Sequence, residues 1–142
     1  MPITRHRKRD IALSQLETAL RLHDELAQDY AVINLAGAAE RILGGILADQ
    51  NVSGRFPKLK RHSRRLQRWM RRAARRSSGR RRALNAARRA VEDHQPGDSP
   101  VVEFDARERA AELLHRSIVH FWALERLATP SMVAFASARA AN

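Results

Sequence analysis

An all-α, single-domain bundle of five to six helices is the fold this sequence predicts, on three observations. Apolar residues recur at helical spacing along almost the whole chain. No segment alternates apolar and polar residues as a half-buried strand does. The 142 residues are enough to bury one core but not two, and no repeat or low-complexity linker divides them. The bundle is expected over residues 10–139, behind a basic N-terminal arm, residues 1–9, reading MPITRHRKR.

The first helix is expected from Asp10 to about Leu26, with Ile11, Leu13, Leu16, Leu20 and Leu22 as its apolar stripe. Ser14 and Glu17 have the spacing of a capping box but lie late in the segment. Asp29 is placed to cap a second helix running to about Ala48. That helix carries Val32, Ile33, Leu35, Ala36, Ala39, Ile42, Leu43, Ile46 and Leu47. It is apolar around most of its circumference, which marks the central helix. Gly37, Gly44 and Gly45 would let neighbours approach it closely.

After the loop DQNVSGRFP, Pro57 opens a third helix to about Arg76, whose apolar face is Leu59, Leu66, Trp69, Met70 and Ala73. The turn SSG at 77–79 separates it from a fourth helix, about Arg80 to Asp93, with Leu84, Ala87, Ala90 and Val91 facing inward. HQPGDSPVVEF is a loop. Asp105 then caps a fifth helix to about Leu127, with Ala110, Leu113, Leu114, Ile118, Phe121, Trp122 and Leu124 on its inner face. Thr129 as N-cap and Pro130 at the first helical position start a short last helix with Met132, Val133 and Phe135 inward. It is expected to fray over ARAAN.

Charge is the most informative feature after the helical pattern. The net charge is +12, and it is concentrated in one place. Between Gln50 and Val91 stand sixteen Lys or Arg and no Asp or Glu, which leaves eleven of the 27 basic residues to face all 15 acidic ones elsewhere. In RRLQRWMRRAARRSSGRRR, residues 64–82, ten of nineteen positions are arginine. Like charges at i,i+4, such as Arg64 with Arg68, cost a few tenths of a kcal/mol per pair, which an apolar stripe anchored by Trp69 outweighs while the Arg stems reach outward. Coding bias accounts for arginine in place of lysine. It does not account for some forty residues without a carboxylate.

Such asymmetry points to nucleic acid or another polyanion as partner. The candidate phosphate-binding residues are Arg61, Arg64, Arg65, Arg68, Arg71, Arg72, Arg75 and Arg76 on helix three, extended by Arg80, Arg81 and Arg82 at the start of helix four and by Arg88 and Arg89 further along it. Guanidinium groups bind phosphate bidentately, and six to ten such contacts would make affinity fall by about 10³ to 10⁵ between 50 and 200 mM salt. With two Trp that read as core, stacking on single-stranded bases has little support. Few Asn or Gln are available to read base edges, so backbone and shape recognition is expected rather than a sequence code. The competing reading makes the basic face a docking surface for an acidic protein partner or a second subunit. A membrane-surface role is disfavoured because the core needs the apolar face of helix three.

The absence of cysteine excludes disulfides and thiolate metal sites. No run of 18 apolar residues suggests a membrane span, and the basic start leads into an amphipathic segment rather than an apolar signal core. A cytoplasmic protein is expected. No phosphate-cradling Gly loop, Ser-His-Asp set or zinc motif is present, and no cofactor or metal is expected. Glu112 with His115 makes one i,i+3 pair of the kind found in carboxylate-bridged metal bundles, but there is no second copy. His23 reads as a surface residue.

Two stretches resemble a set of small uncharacterised bacterial all-helical proteins. They are QLETALRLHDELAQDYAVINLAGAAERILGGIL, residues 15–47, and NAARRAVEDHQPGDSPVVEFDARERAAELLHRSIVHFW with TPSMVAF, within residues 85–135. Where those proteins have a histidine, this chain has Asn34. The organisation also resembles HEPN domains, helical bundles of bacterial toxin–antitoxin and defence systems, many of which are metal-independent ribonucleases with an Arg-polar-x(4–6)-His motif. RRAVEDH fits that motif through Arg88, Arg89 and His94. The resemblance implies that His94 acts on a ribose 2′-OH and Arg88 stabilises the scissile phosphate, in a homodimer that shares one cleft, with an antitoxin as the acidic partner. Arg55 to His62 and Arg109 to His115 satisfy the plain spacing but lack the polar second residue. The alternative for His94 is that it ends helix four against the last carbonyls.

Overall fold

A computed structural model describes residues 3–52 and 85–141, with the side chains of 51 and 52 excepted. Its architecture is all-α, and no strand occurs among the described residues. Helix α1 is Lys8–Arg21, α2 is Asp29–Val52, α3 comprises the helical residues 85–92, α4 is Ala106–Glu125 and α5 is Pro130–Ala141. The expected third helix, its Trp69 anchor and the SSG turn lie outside the described residues.

Helix α2 is the centre of the bundle, packed by α1 on one side and α4 on another. Val32, Ile33, Ala36, Ala39 and Leu43 are fully buried on it. They meet Leu16 and Leu20 of α1 and Leu113, Leu114, Ile118 and Phe121 of α4 in one core. By length and composition residues Asp29–Gln50 could also cross a membrane. Here the neighbouring helices cover part of that apolar surface, 39% of its most apolar window being buried.

Several boundaries differ from expectation. Helix α1 starts at Lys8, and its stripe is rotated: Ile11 is exposed, while Ala12 and Ala19 are fully buried. Small residues take the seam because α1 lies close to α2. From Leu22 to Leu26 the helix widens into a π segment, which ends with the N–H of Ala27 donating to Leu22 O. Ala27 has a left-handed backbone (φ 48°) that turns the chain into α2 after two residues. Asp29 is the first helical residue of α2 and not its cap. Its carboxylate instead accepts from Arg107 at 3.2 Å.

The capping of α4 is as expected: Asp105 Oδ1 accepts from the N–H of Glu108 at 2.9 Å. Helix α5 is assigned through Ala141. It buries Met132 while Val133 points to solvent. Its N-terminus is held by α1. Thr129 and Ser131 both donate to the Glu17 carboxylate, the latter at 2.7 Å, so Glu17 serves α5 rather than a capping box on α1. A carboxylate there also complements the positive end of the α5 dipole.

Two of the three helix-two glycines are there for close approach. A Cβ at Gly37 would lie 2.9 Å from Arg88 Cδ, and one at Gly44 would lie 3.3 Å from His120 Cε1, whereas Gly45 faces open space. Gly45→Ala is therefore expected to stabilise the fold by up to about 1 kcal/mol, the helix-propensity difference. Gly44→Ala should gain less and Gly37→Ala should displace Arg88. Urea denaturation midpoints of the three variants would check the ranking.

Candidate nucleic-acid interface

Of the residues that sequence places on the interface, Arg61, Arg64, Arg65, Arg68, Arg71, Arg72, Arg75, Arg76, Arg80, Arg81 and Arg82 lie outside the described residues. The described end of the basic block is α3. This helix packs on α2 through Ala87, which is buried, and Val91, which is partly buried against the core. That register leaves Arg89 exposed and turns Arg88 toward α2.

Arg88 lies along α2 at Gly37, the one residue type that admits its stem there. Its Nε is 3.7 Å from Glu92 Oε2, one turn on. The same Glu92 carboxylate is held in a two-pronged contact by Arg41 of α2: Nη1 donates to Oε2 at 3.0 Å and Nη2 to Oε1 at 3.1 Å. Arg41 lies 51 positions away in sequence, and nothing in the local pattern marks it. His94 is exposed, two residues beyond the last helical residue of α3. The chain leaves α3 with the N–H of Asp93 donating to Arg89 O at 2.9 Å. Glu92 is thus engaged across the helix pair by Arg41 and Arg88.

The rest of the bundle contains polar clusters of its own. Across the α2–α4 seam Arg116 donates to Glu40 at 2.7 Å, and His120 Nδ1 is 3.9 Å from the same oxygen. Ser117, fully buried, lies 2.9 Å from Ala36 O and 2.8 Å from Leu113 O, and donates to these carbonyls. Arg109 donates to Glu112 at 2.7 Å, so the carboxylate of the Glu112 and His115 pair is engaged by an arginine. Among the described residues no three His, Asp or Glu side chains are grouped to hold a metal ion.

His23 is not a surface residue. Its side chain is 12% exposed, with Nδ1 3.6 Å from Asp29 Oδ1 and its ring edge-on to Phe135 at 5.7 Å. Burial, and then the Arg107 charge, push it below its ordinary value, against the pull of Asp29 and Asp24. His115 is pushed down to about 4, chiefly by burial and further by Arg139. A sequence signal existed for His115, which falls between buried Leu114 and Ser117. None existed for His23, whose burial follows from the π segment and α5.

Comparison of the chain with known protein families, curated proteins and solved structures finds no match.

Proposed function

We propose that this protein binds nucleic acid, RNA ahead of DNA, by its sugar-phosphate backbone through the arginine-rich block between Gln50 and Val91. The observation that carries the reading is the segregation of charge: sixteen cationic side chains with no acid among them. The described ion pairs support it. Of the eleven basic residues outside the block, Arg9, Arg21, Arg41, Arg107, Arg109, Arg116 and Arg139 each face a carboxylate. The bundle largely neutralises itself, and the surplus charge is that of the block. Guanidinium groups so arrayed suit phosphates, with affinity dominated by counterion release.

The HEPN resemblance extends the proposal to metal-independent RNA cleavage in a homodimer, with His94 working on the 2′-OH and Arg88 on the phosphate. For that chemistry Arg88 has to exchange Glu92 for a substrate phosphate.

The test is binding of a labelled structured RNA and a duplex DNA at 50 and 200 mM salt, without metal, with products run on a denaturing gel. A variant with Arg71, Arg72, Arg75 and Arg76 replaced by Gln, and His94→Ala, run alongside. Tight binding that weakens steeply with salt and is lost in the arginine variant is the expected result. Cleavage abolished by His94→Ala would add the nuclease step, and intact product would retire it. No binding at 50 mM salt would overturn the reading in favour of an acidic protein partner.

A further inference from the structure

We propose that Arg41 and Arg88 form a phosphate-binding pair which Glu92 occupies in the free protein, so that Glu92 competes with the nucleic-acid backbone. The inference rests on the nucleic-acid reading above. It extends the interface onto α2, through a residue outside the basic block.

The geometry is that of a site already shaped for a two-oxygen anion. Arg41 grips both oxygens of Glu92 in parallel, at 3.0 and 3.1 Å, as a guanidinium grips two phosphate oxygens. Arg88 approaches from the other side but stops at 3.7 Å, outside hydrogen-bond range. Its Nε is buried and has no hydrogen-bond acceptor among the described residues, although its side chain is only 14% exposed. Burying a donor without an acceptor is unfavourable. A carboxylate has two oxygens, and Arg41 holds both. A phosphate group offers more acceptor positions at the same spot, and could serve Arg41 and Arg88 together.

Electrostatics point the same way. Two guanidiniums face one carboxylate, so the site keeps a net positive charge. Glu92 is the last residue of α3, where the helix dipole disfavours an anion. Arg88 preceding Glu92 by one turn is also the weaker order for such a pair. Helix α3 itself therefore has no use for an acid at this position, and its partners supply the reason. Exposed Arg89 stands beside the site, and the block of sixteen basic residues ends here, at the first carboxylate after Asp49. The Glu92 side chain is 23% exposed, and as the terminal helical residue it can turn to water when displaced.

The experiment is a salt titration, 50 to 200 mM, of a labelled structured RNA against the full chain and four variants: Glu92→Gln, Arg41→Gln, the double variant and Asp93→Asn. Asp93→Asn removes the same charge one residue away and sets the size of the general charge effect. Glu92→Gln is expected to bind about tenfold more tightly than that control, the effect of one charge-assisted contact. Its plot of log K against log salt should be steeper by roughly one phosphate contact. The gain should vanish in the double variant. Helix content by circular dichroism confirms that each variant is folded, and Glu92→Ala replaces Glu92→Gln if the latter is not. Equal affinities for Glu92→Gln and Asp93→Asn, or a gain that survives Arg41→Gln, would overturn the inference while wild-type binding leaves the underlying reading intact. A wild-type chain that binds no RNA would overturn both.

Discussion

Replacing Arg116 by alanine is expected to destabilise the fold by roughly 3 kcal/mol, the cost of stranding a largely buried carboxylate. Arg116 and Glu40 are 19% and 12% exposed and meet at 2.7 Å across the α2–α4 seam, the main packing surface of the bundle. The alanine variant removes the arginine donor to Glu40 and leaves His120 Nδ1 3.9 Å from the same oxygen. The double replacement Glu40→Leu with Arg116→Met should cost less than about 1 kcal/mol, because it removes both charges and keeps apolar bulk in the seam. Urea unfolding of the wild type, two single variants and the double variant measures the coupling. Additive single losses would show that the pair is not an energetic unit.

The same seam shows which parts of the molecule can be read in sequence. The central place of α2 is legible because a nearly all-apolar circumference has one physical solution, burial on several sides. Asp105 and Thr129 are legible as helix starts because capping is local chemistry. What escaped is everything that depends on a partner far along the chain. Ser117 reads as a polar interruption of an apolar stripe; its reach to Leu113 O one turn back is local, but its reach to the Ala36 carbonyl across the seam is not. Ile11 looks like core and Ala12 does not, yet the close approach of α1 and α2 reverses them. The site divides in the same way. A block of like charge is a property of composition and can be seen at once. That Arg41 closes on Glu92, or that Gly37 is there for the stem of Arg88, requires two helices to be in register.

Mild acid should weaken this fold well before its carboxylates titrate, and His115 is the main reason. Its folded value of about 4 lies below the ordinary 6.5, so between these the unfolded chain binds the proton that the folded chain refuses. Stability is then full above about pH 6.5, falls as the pH drops, and this group's loss is complete near pH 4. The whole gap amounts to on the order of 3 kcal/mol at 1.36 kcal/mol per unit. His23 is displaced in the same direction and adds to the slope with the same sign. The groups facing His115 reinforce it: burial between α4 and its neighbours dominates, and Arg139 of α5 adds positive charge, while Arg139 is itself paired to Glu108 at 3.4 Å. Between pH 6.5 and 5 most Asp and Glu remain ionised, so this interval isolates the histidines. His115→Leu keeps apolar bulk and removes the proton site; its unfolding free energy should be nearly flat over that interval, apart from the His23 share. Arg139→Gln should leave a slope but shift it to higher pH, since one source of repulsion is gone. A His115→Leu variant whose stability falls with pH as steeply as the wild type would place the acid sensitivity elsewhere, with His23 at the π segment the next residue to replace.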